Sequence, residues 1–135
     1  MSLFGLFRSP LLAKPIPAIA VANSILDHAW AIGSPTNAPR LQRLAILCDH
    51  YSQEITGSRL IEEAISFAHD MPFFTGLHTA FRRWNADPIT SWGHHPEIAV
   101  PFIVPIEGTR MKIIKTVVSS FAGLPTWNIP RKIPC

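Results

Sequence analysis

Most of the thirteen prolines of this 135-residue chain fall outside its periodic stretches and gather between them: Pro10, Pro15 and Pro17, then Pro88, Pro96, Pro101 and Pro105, then Pro125, Pro130 and Pro134. Proline fixes φ and removes a backbone donor, so each cluster marks a loop or an extended connector. What stays uninterrupted is a set of helix-length segments. The expected class is therefore mainly α: one compact helical domain over 18–135 with a long proline-rich loop, room for a small strand pair, and an N-terminal arm over 1–17.

Four helices are expected. "PAIAVANSILDHAWAIG" sets Ile19, Ala22, Leu26, Ala29 and Trp30 on one face and stops at Gly33, which predicts a helix over 18–32. Thr36 is then a candidate N-cap, with Pro39 in the first turn of a second helix over 37–56. On that helix Leu41, Leu44, Ala45, Cys48, Tyr51 and Ile55 form one stripe, opposite Gln42, Asp49 and Gln53, with Ile46 and His50 among the polar set. A third helix is expected over 72–84, with Pro72 in its first turn, Phe73, Leu77, Phe81 and Trp84 on one face, and Arg82 and Arg83 solvated at its C-terminal end. A fourth is expected over 109–122. "SRLIEEAISFAHD" fits either a short helix or an extended segment, residues 85–108 read as a long irregular loop, and "LPTWNIPRKIPC" reads as an extended tail.

Cys48, Asp49 and His50 look at first like a catalytic group. Successive helical residues point about 100° apart, so Cys48 and His50 diverge by about 200° and do not form a thiolate–imidazole pair. Cys48 lies on the apolar stripe and reads as a buried, unreactive thiol, and a disulfide with Cys135 is not expected. Glu62 and Glu63 are adjacent and cannot face one another, and there is no phosphate-binding glycine loop or nucleophile elbow. The six histidines, His94 and His95 among them, show no metal-ligand spacing. No enzyme activity, metal or cofactor is expected.

Composition narrows the partner. With 47% hydrophobic residues, 16% charged and a net charge of +3, the chain has ample apolar content for a core and no basic stripe interleaved with aromatics. Nucleic acid is not the expected partner. No window offers the roughly 20 consecutive apolar residues of a membrane span, and the two cysteines fit a reducing, cytoplasmic setting. The apolar arm "MSLFGLFRSPLLAKPIPA" reads as a segment laid across the domain's own core, with a short membrane-touching arm as the alternative. Interface energy concentrates in Trp, Tyr and Arg, which makes Trp92 a candidate exposed anchor on its loop, while Trp84 and Trp127 are expected in the core. Ile46, apolar on a polar face, is either covered by another segment or offered to a partner.

The order of these pieces carries a family resemblance. "AVANSILDHAWAIG", a proline–threonine turn, "RLQRL" opening a helix that ends "YSQEITGSRL", an acidic stretch and a proline-initiated helix ending "FRRW" resemble the SocA-like Panacea domain, the phage-associated or GepA family, over about residues 18–92. "MKIIKTVVSSFAGLPTW" echoes it further on. The most specific elements are Leu41-Gln42-Arg43-Leu44 and the Thr56-Gly57 exit; Asp70-Met71-Pro72, His78 and the ending at Cys135 depart from the usual pattern. The resemblance implies a small helical antitoxin that neutralises a cognate toxin protein by direct binding, or delivers it to a cytoplasmic protease. The alternative is a phage or mobile-element regulator acting on a host protein or nucleic acid, and the third is a degenerate metal-dependent enzyme. The expected partner-binding residues are Ile46, His50, Arg82, Arg83 and Trp92.

Overall fold

The computed structural model describes residues 14–95, 97–106 and 108–130. Most of the N-terminal arm, the Arg131-Lys132 pair and Cys135 lie outside them. Helix α1 spans Ala18–Ala31, directly after Pro17, and α2 spans Ala38–Thr56. The N-cap of α2 is Asn37, not Thr36: the Asn37 side chain accepts from the Arg40 N–H at 3.0 Å. Thr36 is buried instead and its carbonyl accepts the Ile89 N–H at 2.8 Å. Gly57 ends α2 with φ at +81°, the left-handed conformation that glycine adopts without a Cβ penalty.

The ambiguous stretch after α2 is extended. Ile16 pairs with Ile61 as a parallel bridge, and strands β1 (Ser66–Ala68) and β2 (Met71–Phe73) form an antiparallel hairpin with Ser66 opposite Phe73. His69 and Asp70 make the turn with φ of +51° and +64°. Pro72 thus lies in a strand, on a two-stranded sheet where its missing donor is tolerated, and not in a helical turn. Helix α3 begins later, at Thr75, and ends at Phe81 in a 3-10 turn over Arg82–Trp84. One physical reason is Gln42. Its side chain donates to the Phe74 carbonyl and accepts the Phe74 N–H, both at 2.9 Å, and so holds Phe74 in extended geometry at the helix boundary.

Helix α4 spans Gly108–Ser120, and a 3-10 turn over Thr126–Asn128 interrupts the tail that the sequence reads as extended. Helices α1, α2 and α4 pack pairwise, with α3 against α1 and α2. Their shared core holds Ile25, Leu26, Leu41, Leu44, Leu47, Leu77, Phe81 and Ile114, closed by Leu60, Ile61 and Ile89 from the connectors. Two arginines of the second helix hold the segment that follows α4. Arg40 is 5% exposed and donates to the carbonyls of Leu124, at 2.6 Å, and of Phe121, while Arg43 donates to that of Thr126. The start of α2 thus lies beside the end of α4, and the two run antiparallel.

Candidate functional site

The Cys48-Asp49-His50 triplet divides three ways. Cys48 is fully buried, and burial first, then the neighbouring Asp49 carboxylate, pushes its thiol well above the ordinary range. Such a thiol is a poor nucleophile. Asp49, which the helical pattern places on the solvated face, is 2% exposed. Its Oδ1 accepts the N–H groups of Leu60 and Ile61, each at 2.9 Å, and its Oδ2 pairs with Arg59 Nε at 3.0 Å. It ties the segment after α2 back onto the helix. His50 is half-buried and sits 3.7 Å from Glu54 one turn on.

The expected partner-binding residues fall in three separate places. Ile46 is 2% exposed, which removes it as a surface anchor; it lines a shallow cleft with His50, Gln53, Ile65 and the largely exposed Phe67. Segment 59–67, inside the described chain, stands over this face of α2. Arg82 and Arg83 are exposed at the end of α3, where the Arg83 guanidinium stacks 5.2 Å from the Trp84 ring centre. Trp92 is 40% exposed and its indole N–H donates to Asp27 at 2.6 Å, with its ring 6.1 Å from that of Trp30.

The support under Trp92 is fixed. The Asn23 side chain accepts the Gly93 N–H at 2.7 Å and donates to the carbonyls of Gly93 and Phe102 at 2.9 and 3.0 Å. A Cβ on Gly93 would lie 2.7 Å from the Phe81 ring and 2.8 Å from Ile19. One buried asparagine thus staples the long loop at two points. His95 packs against Phe102 at 4.6 Å, and among the described residues no three His, Cys, Asp or Glu side chains converge as a metal site.

A more apolar concavity than the Ile46 cleft lies elsewhere among the described residues. A groove of about 470 Å³ runs between the last turns of α2 and one face of α4, walled by Tyr51 and Ile55 on one side and by Lys112, Thr116, Val117 and Phe121 on the other. Tyr51 and Ile55 continue the buried stripe of α2 in sequence, yet they are 42% and 62% exposed. Trp127, expected in the core, is 79% exposed. Sequence reasoning missed the groove because periodicity identifies an apolar face without saying whether anything covers it. The signal that could have found it is on α4, where Thr109, Lys112, Thr116 and Ser120 flank Ile113 and Val117 as small or polar neighbours at helical spacing.

No family model matches the chain, and no curated protein or solved structure matches it either. Among the described residues, no helix is long and apolar enough to cross a membrane.

Proposed function

We propose that this chain is a non-catalytic protein-binding domain of the SocA-like Panacea kind, an antitoxin that holds a cognate toxin directly or presents it to a cytoplasmic protease. The observation that carries the reading is the groove between α2 and α4, where Tyr51 and Ile55 stand exposed on a helix whose other apolar residues are covered. A groove of this shape between two antiparallel helices suits an amphipathic segment of a partner, which inserts apolar side chains at helical spacing. The resemblance supports the kind of partner, and the exposed apolar wall supports the groove as its seat. The triplet that looked catalytic is taken up by the fold: Cys48 packs in the core and Asp49 holds the chain that follows.

The test is the affinity for the protein encoded beside this gene, measured by titration calorimetry. Ile55→Asp is expected to weaken binding at least tenfold, about 1.4 kcal/mol, because a charge in an apolar contact must be desolvated without a partner. Its thermal midpoint should stay that of the parent. An unchanged dissociation constant rejects the groove. Trp92→Ala serves as the contrasting variant: a loss confined to it would move the partner to the Asp27–Trp92 surface.

A further inference from the structure

We infer that the groove is built for one class of occupant: an amphipathic helix whose apolar stripe is flanked, on the side that meets α4, by carboxylates. The inference rests on the proposed function for the role of the groove and adds the chemistry of what enters it. The floor is apolar, since Ile113 and Val117 are 6% and 5% exposed and Tyr51 and Ile55 stand across from them. The rim of α4 is basic. Lys112 lines the groove and Lys115 follows three residues on, the spacing that makes neighbours on a helix surface. Both are exposed, and among the described residues neither pairs with an acid.

The imbalance belongs to the whole of α4. Its span Gly108–Ser120 holds Arg110, Lys112 and Lys115 and no Asp or Glu, and residues 121–135 hold none either. The fold engages the first of these cations, since Arg110 Nη2 donates to the Lys14 carbonyl at 2.7 Å. The two lysines are left for an occupant. The α2 wall carries the opposite sign: Glu54, between Tyr51 and Ile55 in sequence, has a side chain 66% exposed and lies 3.7 Å from His50 Nε2. A uniformly acidic surface, such as an anionic membrane, would meet Glu54 as well as the lysines. A helix turned so that its acidic flank meets α4 and its neutral or basic flank meets α2 suits both walls. From Thr109 to Phe121 the wall rises about 18 Å, the length of about 12 helical residues, so apolar side chains at i, i+3 or i+4 and i+7 of the occupant reach the floor along it. Carboxylates three or four residues apart on that helix repeat the spacing of Lys112 and Lys115.

The probes are two fluorescein-labelled peptides of one length and one leucine stripe, the first with glutamate and the second with lysine at the flanking positions. Each is titrated with the full chain and followed by fluorescence anisotropy. The acidic peptide is expected to bind about tenfold tighter at low ionic strength, and the margin should shrink in about 0.5 M salt. In the double variant Lys112→Glu with Lys115→Glu the order of the two peptides should reverse; both positions are exposed, so the thermal midpoint should stay that of the parent. Arg82→Glu with Arg83→Glu makes the same change in net charge on another helix end and should leave the order in place. Equal affinities for the two peptides, a preference that survives the lysine reversal, or one that the arginine reversal also inverts overturns the inference. Acidic-peptide binding that Ile55→Asp leaves unchanged overturns it too, by placing the peptide on the lysines alone. Self-association of the chain that Ile55→Asp abolishes overturns it in favour of a second copy, and cosedimentation with phosphatidylserine vesicles that Ile55→Asp abolishes does so in favour of a lipid surface. The two readings fail separately. If the co-encoded protein loses affinity for Ile55→Asp but binds the lysine double variant within about twofold of the parent, the acidic flank is wrong and the proposed function stands. If the peptide results hold while that protein binds Ile55→Asp unchanged, the groove takes such a helix from another protein and only the proposed function falls.

Discussion

Ile46 and Ile55 are the same residue on the same helix, and they have opposite fates. Ile46 sits among Gln42, Asp49 and Gln53 in the helical pattern and is 2% exposed; Ile55 continues the Leu41, Leu44 and Cys48 stripe and is 62% exposed. The difference lies in what the rest of the chain brings to each end of α2. Segment 59–67 turns back after Gly57 and stands over the Ile46 face, held there by three contacts to Asp49. Past Cys48, α4 approaches the other side without closing on it, and Tyr51 and Ile55 are left as one wall of a groove. A helix records which of its faces are apolar, while neighbours decide which are buried.

This contrast orders a set of measurements by urea unfolding. The largest effect is expected at Asp49→Ala, about 3–5 kcal/mol, because it leaves two buried N–H groups without an acceptor and removes the pair to Arg59, which keeps only its bond to the Glu63 carbonyl. A loss below about 1 kcal/mol would mean that segment 59–67 is held by packing and that the carboxylate is incidental. Ile46→Ala comes next, at about 2–4 kcal/mol for a large side chain removed from a closed site. Gly57→Ala is expected to cost about 1 kcal/mol through its positive φ alone, since nothing lies within 4 Å of the added Cβ. A much larger loss there would show that the chain reversal itself sets the position of Asp49's partners. Ile55→Ala should stay within about 0.5 kcal/mol, the ordinary range of exposed substitutions. If the two isoleucines cost the same, the comparison fails and the groove is closed in solution.

Much of the architecture is legible in the sequence. Helices expected over 18–32, 37–56 and 109–122 occur at Ala18–Ala31, Ala38–Thr56 and Gly108–Ser120, because proline and glycine stop signals act locally and apolar periodicity is a property of one segment. The third helix was shortened from its start. Pro72 and Phe73 carry acceptable helix signals, and Gln42, 32 residues before Phe74, overrides them by holding the Phe74 backbone. The strand pair was visible only as an ambiguity, since Ile61, Ile65 and Phe67 suit both periods until β2 is available to pair with β1.

For the surface, the sequence correctly marked Trp92 as exposed and Cys48 as buried, and it misplaced Asp49, Tyr51, Ile55 and Trp127. Each of those four depends on chain brought from a distance. Asp49 is drawn inside by N–H groups that follow a left-handed turn at Gly57, Tyr51 and Ile55 are left outside because α4 faces them across an open groove, and Trp127 by a 3-10 turn in place of an extended tail. By itself the sequence determined three of the four helices to within a residue or two and the class of fold, which are decided by φ preferences and local hydrogen bonds within a few residues. Tertiary structure alone decided which apolar face is core and which is groove, because burial is a relation between segments that no single segment encodes.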